Sequence, residues 1–484
     1  MANSYDRIKK FNGFSLTSHS KFRMTLIKSI SGIRGTIGGN VGTNLTPIDI
    51  VECAAAFGTW VLQKNKNPKV AIGRDARISG NMVQQLVMNT LVGQGITVLD
   101  LGLSTTPTVE MAVVNHKADA GVIITASHNP IQWNALKLLN EKGEFIAAEE
   151  GAYLLEIIKN KEFTFAPVLD LGAIIKINDA IESHIEAILG LPLVDAKLVQ
   201  SKKFKVVVDC INSTGSISII PLLEKLGCEV IVLNKEMTGH FAHNPEPLPE
   251  HLEELCQAVV QNKAQMGICV DPDVDRLAFV MEDGKLFGEE YSLVAIADYI
   301  LSKTPGNTVS NLSSTRALRD VTHKHQQTYA AAAVGEVNVV QKMKEISAVI
   351  GGEGNGGIIY PELHYGRDAL VGVALLLTSI AENGLSMTAL KDSLPKYEMS
   401  KDKISLENFD RVPEILEFAI GLYPNAAIDR TDGVKIDLDQ GWIHLRQSNT
   451  EPIIRIYTES LDQAQAIQLG SDLKASVVKF LSKT

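Results

Sequence analysis

The sequence has little of what marks secreted, membrane-embedded or nucleic-acid-binding proteins. Its five cysteines are scattered and show no Cys-x-x-Cys spacing, which argues against a disulfide framework and a zinc ribbon. No apolar run approaches the roughly 18–20 residues that cross a bilayer. The 46 Lys and Arg residues are outnumbered by 56 Asp and Glu residues, so the net charge of −10 repels nucleic acid and anionic lipid. These absences predict a cytoplasmic protein with no nucleic-acid partner and no membrane partner.

What is present is the composition of a globular protein, with 45% hydrophobic and 21% charged residues among 484. At roughly 150 residues per domain this length predicts about three domains, with two or four as alternatives. Residues 1–23 are polar and lack the apolar core of a secretory signal. We interpret them as a flexible tail, or as the result of a start codon placed ahead of Met24; a targeting peptide is the alternative.

Short apolar runs alternate with helical patterns through most of the chain, as at 70–73, 96–102 and 120–127, and the pattern restarts at 204 and near 307. This order predicts three similar α/β domains with mixed or parallel sheets. The end of the chain instead alternates apolar and polar residues before a final helix over 461–481, which predicts an α+β domain with an antiparallel sheet. The predicted division is a tail over 1–23 and domains over 24–168, 169–285, 286–394 and 395–484.

Two polar turns follow apolar runs and carry candidate chemistry. Ser127 and His128 end the run 120–127, and ligands of α/β proteins bind at the carboxyl ends of such strands. Asp271, Asp273 and Asp275 alternate in a turn between two apolar runs, where converging carboxylates suit a hard cation such as Mg²⁺. The alternatives are an ordinary strand-terminating turn and a solvated acidic turn.

Two further segments suit a phosphorylated sugar. The glycine-rich stretch 351–357 contains only two functional side chains, Glu353 and Asn355, which can bind sugar hydroxyls; it lacks the Lys and Ser/Thr of a Walker loop. The stretch 446–455 concentrates arginines and hydroxyls that can hold a phosphate dianion. A flexible turn and a hairpin with incidental arginines are the alternatives. The glycine-flanked arginines in 32–35 and 73–77, each taken alone, are more typical of structural salt bridges.

In combination, the motifs are specific. The order Gly-Ile-Arg-Gly, Gly-Arg-Asp, Thr-Ala-Ser-His-Asn-Pro, Asp-x-Asp-x-Asp-Arg, Gly-Glu-x-Asn-Gly and Arg-x-Ser-Asn-Thr-Glu-Pro resembles the α-D-phosphohexomutase superfamily from about Met24 to the end of the chain. The resemblance implies four domains and an enzyme that moves a phosphoryl group between the 1- and 6-positions of a hexose. It also implies a phosphoserine enzyme, a sugar 1,6-bisphosphate intermediate that serves as activator, and Mg²⁺ as cofactor.

The resemblance assigns a role to each matching residue. It implies that Ser127 carries the phosphoryl group, completes the metal site of Asp271, Asp273 and Asp275, and is supported by His128. Arg276 would offset the charge on the transferred group, while Lys137 and Arg34 are candidates for acid/base or substrate-orienting roles. Glu353 and Asn355 fall in the sugar-binding loop. The loop for the non-reacting phosphate is implied to contain Arg446, Ser448, Asn449, Thr450 and Arg455.

The sequence departs from the common family pattern at two loops. Pro272 and Val274 stand in the metal loop where many members have glycines, which should stiffen the loop. Gly357 stands where some members have a histidine proposed as an acid/base group, and His364 is the candidate to take its place. The residue sequences Gly-Glu-x-Asn-Gly-Gly in the sugar-binding loop and Ser-Asn-Thr-Glu-Pro in the phosphate loop favour phosphoglucosamine mutase activity. Phosphomannomutase or phosphoglucomutase activity is the alternative, followed by a metal-dependent phosphatase or a sugar-phosphate sensor. Oligomeric state does not follow from the sequence.

Overall fold

The computed structural model describes residues 24–29, 32–406, 409–448 and 453–482, so the predicted tail over 1–23 lies outside the described residues. Within these ranges four β-sheets follow one another along the chain. Three of them mix parallel and antiparallel strands, and the last is antiparallel throughout. The predicted fold class is thereby confirmed.

The first sheet has seven strands in the order β1-β2-β6-β5-β3-β4-β7. Its strands β3, β4, β5 and β7 are parallel, while β1, β2 and β6 run antiparallel to their neighbours. Apolar side chains from both faces are buried under the helices, as expected for a sheet covered on both sides. The elements are β1 (Ile27–Ser29), β2 (Gly32–Thr36), α1 (Pro47–Lys64), β3 (Lys69–Arg74), α2 (Gly80–Gly93), β4 (Thr97–Leu103), α3 (Thr106–Asn115), β5 (Ala120–Ile124), β6 (Trp133–Leu139), α4 (Ala148–Asn160) and β7 (Ile174–Lys176).

The second and third sheets have four strands each, in the orders β11-β10-β8-β9 and β13-β12-β14-β15. One continuous hydrophobic core joins the two units, because α12 is buried along its length and packs against α5, α6 and α7 of the second. The second unit contains α5 (Ala180–Leu189), α6 (Ala196–Lys202), β8 (Lys205–Asp209), α7 (Gly215–Lys225), β9 (Glu229–Leu233), α8 (Glu253–Gln261), β10 (Met266–Val270) and β11 (Leu277–Met281). The third contains α9 (Glu289–Lys303), β12 (Asn307–Asn311), α10 (Ala317–Lys324), β13 (Tyr329–Ala332), α11 (Glu336–Glu345), β14 (Ala348–Glu353), β15 (Gly357–Ile359), α12 (Ala369–Asn383) and α13 (Met387–Asp392).

The fourth sheet has five antiparallel strands in the order β16-β20-β19-β18-β17, with α14 and α15 packed against it over a separate core. The final helix begins at Gln463, two residues after the predicted start, because Asp462 caps it by accepting a hydrogen bond from the Gln465 amide. The elements are β16 (Glu398–Ser405), α14 (Val412–Gly421), β17 (Ala427–Asp429), β18 (Val434–Leu438), β19 (Gly441–Gln447), β20 (Ile453–Ser460) and α15 (Gln463–Leu481).

These sheets present the predicted motifs at strand ends. Ser127 follows β5, the three aspartates follow β10, Glu353 ends β14 and Arg446 lies near the end of β19. Among the described residues no helix combines the length and apolar character that a membrane span requires. The five cysteines are free thiols.

Candidate active site

The turn that carries Ser127 is held by a buried arginine. The Arg77 guanidinium donates hydrogen bonds to four main-chain carbonyls of this turn, and its Nε lies 3.1 Å from a carboxylate oxygen of Asp75. Asp75 in turn accepts a hydrogen bond from Thr125 just before the turn. Both members of the Asp75–Arg77 ion pair are buried, so the salt bridge considered for segment 73–77 is confirmed. The carbonyl acceptors belong to Ser127, Asn129, Pro130 and Trp133.

The Ser127 side chain points at the aspartate loop. Its Oγ donates a hydrogen bond of 2.7 Å to Asp271 and lies 3.3 Å from Nδ1 of His128. The backbone of Ser127 has φ of +48°, a left-handed conformation that is uncommon outside glycine and often marks functional turns. Burial, followed by the charge of Arg276, lowers the pKa of His128. His128 is therefore neutral and available as a hydrogen-bond partner for the Ser127 hydroxyl.

The structure brings the three predicted metal ligands together. Asp271, Asp273 and Asp275 are fully buried, and one carboxylate oxygen from each lies within 4.8 Å of the others. The Oδ1 atoms of Asp273 and Asp275 have no hydrogen-bond partner among the described residues. Buried carboxylate oxygens without a donor are costly unless a cation binds them, and an all-oxygen set is what Mg²⁺ prefers. The residues present thus fit a divalent cation.

The aspartate loop contains a strained residue. Val274 is fully buried and has φ of +62°, which a β-branched residue adopts only at an energetic cost. The hydroxyls of Ser213 and Thr214 donate to the carbonyl of Pro272, and the amide of Ala369 donates to the carbonyl of Val274. These contacts hold the loop in a conformation that a glycine at position 274 would adopt without strain.

Lys137 contacts the same carboxylates from β6. Its ammonium donates to Asp273 at 2.7 Å and to Asp275 at 3.1 Å. Burial lowers the pKa of Lys137, but the charges of Asp273 and Asp275 outweigh burial and raise it overall. Lys137 is therefore a cation beside these carboxylates, and its acid/base or substrate-orienting role stays a prediction.

Arg34 lies on the same face of the first sheet as Lys137. It pairs with Ala135 across β2 and β6, and directly opposed residues point to the same side of a sheet, as do residues two apart on one strand. Arg34 is not within ion-pair distance of any described acidic group, so the structural salt bridge considered for segment 32–35 is wrong. Burial lowers the pKa of Arg34.

Arg276 and Glu246 close another side of the site. The Arg276 amide donates to Asp271, and its guanidinium lies 3.4 Å from Glu246. The same Glu246 oxygen is 3.9 Å from Nε2 of His128. Glu246 was not among the predicted site residues, because the loop that carries it has no apolar run leading into it.

Arg367 is a second residue that the sequence did not identify. Its buried guanidinium contacts three carboxylates: Asp275 at 2.8 Å, Glu336 at 3.0 Å and Glu353 at 3.1 Å. Burial lowers the pKa of Arg367. The charges of its carboxylate partners, of which Asp275 has the largest effect, outweigh burial and raise the pKa well above its usual value. One side chain thus joins the aspartate loop to the sugar-binding loop. Its three partners are 14 to 92 residues away along the chain, so no local motif reveals the contact.

The sugar-binding loop is ordered around Glu353. Its carboxylate accepts hydrogen bonds from the Asn311 side chain and the Gly335 amide in addition to the contact with Arg367. The Asn355 side chain accepts a hydrogen bond from the Gly357 amide within the loop. A Cβ at Gly357 would overlap Cδ of Arg367. The side chain of Arg367 therefore occupies the space beside residue 357, where some family members carry a histidine.

His364 does not replace that histidine as a base. Its two ring nitrogens lie 3.3 Å from Glu110 and 3.3 Å from Asp368. Burial lowers its pKa, but the hydrogen bonds and charges of these two carboxylates outweigh burial and raise the pKa to about 10. A histidine that is already protonated cannot accept a proton at neutral pH. The raised pKa argues against His364 as the base, whereas a role for it as the acid stays a prediction.

The fourth sheet supplies two arginines of the predicted phosphate loop. Nε of Arg446 lies 3.0 Å from Asp432, which also accepts a hydrogen bond from the Val334 amide and so fixes the arginine against the third unit. Arg455 is opposite Arg446 across β19 and β20, and Ser448 is buried at the end of β19. Of the other predicted residues in this loop, Asn449 and Thr450 lie outside the described residues.

Four profiles of one protein family match consecutive parts of the chain. They are phosphoglucomutase/phosphomannomutase alpha/beta/alpha domain I over residues 26–165, domain II over 182–284, domain III over 289–397 and the C-terminal domain over 399–475.

Named relatives extend over nearly the whole chain. A phosphoglucomutase/phosphomannomutase of Thermococcus kodakarensis is 34% identical over 454 residues, which is 92% of this chain and 99% of that protein. A phosphoglucosamine/phosphogalactosamine mutase of Sulfurisphaera tokodaii is 32% identical over 453 residues, 92% of this chain and 98% of the relative.

Solved structures share the fold. A phosphoglucomutase/phosphomannomutase family protein of Burkholderia thailandensis has a TM-score of 0.81 at 24% identity and covers 95% of this chain and 97% of its own. The open form of the phosphoglucomutase parafusin from Paramecium has a TM-score of 0.76 at 15% identity over 93% and 94%. With all four domains matched in order and relatives alike over nine-tenths of its length, the chain belongs to the phosphoglucomutase/phosphomannomutase family.

Proposed function

We propose that the protein is a phosphohexomutase that interconverts hexose 1-phosphate and 6-phosphate through a phosphoserine at Ser127, with glucosamine phosphate as its substrate. The observation that carries the proposal is the hydrogen bond from Ser127 to Asp271 in a loop of three buried carboxylates. The substrate rests on relatives named for phosphoglucosamine mutase activity, among them those of Sulfurisphaera tokodaii and Methanopyrus kandleri. The name of the Thermococcus kodakarensis relative makes glucose and mannose phosphates the alternative substrates.

Asp271, Asp273 and Asp275 would hold Mg²⁺ together with an oxygen of phosphorylated Ser127. Mg²⁺ bound there would act as a Lewis acid on the phosphoryl oxygens of the transferred group. A solved structure of similar fold, that of an Aspergillus fumigatus N-acetylphosphoglucosamine mutase, is a complex with GlcNAc-6P and magnesium. That complex supports this choice of ion and substrate class.

The residues around Ser127 have separate roles in phosphoryl transfer. Arg77 fixes the turn so that Oγ of Ser127 keeps one direction in both half-reactions, which matters because misplacement of a nucleophile is costly. Lys137 and Arg276 supply positive charge beside the group in transfer. His128, which is neutral, supports the Ser127 hydroxyl. Arg34 shares the Lys137 face and would orient the reacting end of the substrate.

The remaining loops would hold the sugar in two orientations. In the first half-reaction phosphorylated Ser127 gives its phosphoryl group to the free sugar hydroxyl, and the resulting 1,6-bisphosphate turns over and returns the other phosphate. Glu353 and Asn355 would contact sugar hydroxyls, and Arg446, Ser448 and Arg455 would hold whichever phosphate is not reacting. We assign Asn449 and Thr450 to the same phosphate loop. A sugar 1,6-bisphosphate would serve as activator because it rephosphorylates Ser127.

We also propose a division of the chain into domains. The predicted division over 24–168, 169–285, 286–394 and 395–484 stays a prediction, with one adjustment. Strand β7 follows residue 168 yet pairs with β4 of the first sheet. We therefore draw the first boundary between Lys176 and Ala180. A cytoplasmic location and the lack of nucleic-acid or membrane partners also stay predictions.

Turnover of three substrates tests the proposal. Glucosamine 6-phosphate, glucose 1-phosphate and mannose 1-phosphate would each be supplied with Mg²⁺ and a trace of the matching bisphosphate, using wild type and Ser127→Ala. We expect fastest interconversion of glucosamine phosphate, no release of inorganic phosphate and no activity in the variant. Steady release of inorganic phosphate would favour a phosphatase, and binding without turnover of any substrate would favour a sensor.

A further inference from the structure

Two histidines and an aspartate converge at a point behind the catalytic loops. His184 lies on α5, His364 lies in the segment before α12, and Asp368 caps α12 through its Oδ1. The Nε2 atoms of both histidines approach the same atom, Oδ2 of Asp368, at 2.9 Å and 3.3 Å. The side chains of His184 and Asp368 are fully buried and that of His364 is 12% exposed.

Each histidine is also held at its other ring nitrogen. Nδ1 of His184 lies 2.9 Å from the Thr108 hydroxyl, and Nδ1 of His364 lies 3.3 Å from the Glu110 carboxylate. The two rings meet at an interplanar angle of 86°. Histidines that bind metals in proteins nearly always have this arrangement, with one nitrogen on the ion and the other on a carboxylate or another polar group.

Glu110 adds a second carboxylate to the cluster. Its side chain is 1% exposed and lies 3.3 Å from Nδ1 of His364. The cluster thus combines two buried carboxylates with two histidines. One ligand atom from each of His184, His364 and Asp368 lies within 4.8 Å of the others, so all three can contact a single ion.

We propose that His184 Nε2, His364 Nε2 and Asp368 Oδ2 form a binding site for a divalent first-row transition-metal ion, separate from the aspartate loop. Two imidazoles and one carboxylate suit ions such as Zn²⁺, whereas the aspartate loop offers only the oxygen ligands that suit Mg²⁺. On binding, His364 releases the proton from Nε2 and keeps Nδ1–H toward Glu110. The single proton of His184 moves from Nε2, where it faces Asp368, to Nδ1 toward Thr108, so in total one proton leaves for each ion bound.

The bound ion would connect three of the family's domains. Thr108 and Glu110 belong to the stretch matched by domain I, His184 to domain II, and His364 and Asp368 to domain III. Thr106, on the same helix as Thr108 and Glu110, donates a hydrogen bond to Asp273 of the aspartate loop. The ion would therefore stabilise the junction on which the catalytic loops rest, and the proposal does not depend on the substrate assigned above.

Metal content tests the proposal directly. Full-length protein without an affinity tag would be stripped with chelator, mixed with Zn²⁺ in excess Mg²⁺, desalted and analysed by elemental mass spectrometry. We expect one zinc per chain in wild type and in Asp271→Asn, which alters the aspartate loop. His184→Gln and His364→Gln are expected to retain none. Zn²⁺ should raise the melting temperature of wild type and leave that of His184→Gln unchanged.

Three results would overturn the proposal: no zinc retained by wild type, zinc retained equally by the two glutamine variants, or zinc lost in Asp271→Asn alone. If the histidine variants do not fold, Glu110→Gln takes their place. Removing such an outer carboxylate weakens metal binding by about 10- to 100-fold. An unchanged zinc affinity in Glu110→Gln would then reject the site.

Discussion

Replacing Arg367 by methionine tests whether one guanidinium joins the aspartate loop to the sugar-binding loop. Methionine keeps an unbranched apolar stem but removes the donors that reach Asp275, Glu336 and Glu353. These carboxylates are only 0%, 7% and 6% exposed, so water cannot take over from the arginine. The change leaves Glu336 and Glu353 without this cation, while Asp275 keeps its contact with Lys137 at 3.1 Å.

Removing one partner of a buried ion pair costs about 3–5 kcal/mol. The three contacts share one arginine, so their costs do not add. We therefore expect Arg367→Met to lower the free energy of unfolding by about 3–5 kcal/mol, a large part of the roughly 5–15 kcal/mol that holds a protein folded. With an m value of about 3 kcal/mol/M, the urea midpoint falls by about 1–1.7 M.

The loss should depend on pH. Burial raises the pKa of Asp275, but Arg367, the largest of the opposing charges, lowers it overall, so in wild type the pair stabilises the fold above pH ~4. Without Arg367 the folded-state pKa values of Asp275 and Glu336 rise, because Arg367 is the largest of the charges that lower each of them. The variant then loses stability as the pH rises from about 4 to 7, and its deficit relative to wild type is largest near neutral pH.

Urea unfolding at pH 4.5 and pH 7.5, followed by tryptophan fluorescence, measures this effect. Arg319→Met is the matched control, because Arg319 pairs with Asp320 and Asp437 at the surface and is 31% exposed. Such a pair contributes at most about 1 kcal/mol. If Arg367→Met loses no more stability than Arg319→Met, or loses the same amount at both pH values, the role given to Arg367 is refuted.

Three further predictions concern the loops and the fourth sheet. Gly357→His should fail to reach wild-type stability and activity, because its Cβ overlaps Arg367, whereas unaltered melting and turnover would contradict the packing described. Arg446→Lys should raise KM about tenfold with a smaller change in kcat, since lysine cannot bind phosphate bidentately; an unchanged KM would remove Arg446 from the phosphate site. His444 is buried between Ser313 and the Asp432 carbonyl, and burial lowers its pKa to about 4. Because the unfolded chain takes up this proton at higher pH than the folded protein, the free energy of unfolding should fall by about 3 kcal/mol as the pH drops from 6.5 to 4. His444→Gln should weaken the dependence of the melting temperature on pH over this range. An unchanged dependence on pH would argue against this role for His444.

The sequence predicted those parts of the fold that local pattern determines. Apolar runs ending in polar turns located β5 and β10, and with them Ser127 and the three aspartates, because each turn is continuous in sequence with its strand. The continuous core between the second and third sheets was not predicted. It depends on the packing of α12 against helices far away in sequence, which no local periodicity encodes.

The residues that position the site were harder to predict than those that act in it. Arg77 positions the Ser127 turn by donating hydrogen bonds to main-chain carbonyls. Every residue has such a carbonyl, so no side-chain motif predicts these contacts. Arg367 depends on carboxylates from separate loops, and Glu246 on a loop without a flanking apolar run. For His364 the sequence shows one of the two carboxylates that raise its pKa, Asp368 four residues on, but not the other, Glu110, more than two hundred residues away.

Phosphate transfer through Ser127 is the central claim, and a single-turnover experiment measures it. The enzyme would be phosphorylated with a sugar 1,6-bisphosphate whose phosphates carry an oxygen isotope label, freed of small molecules, and analysed by peptide mass spectrometry before and after addition of unlabelled glucosamine 6-phosphate. We predict one labelled phosphate on the peptide containing Ser127, its replacement by unlabelled phosphate from the substrate after turnover, and no phosphate on Ser127→Ala. Turnover with the phosphate on another residue, or with a persistently unmodified Ser127, would contradict the account.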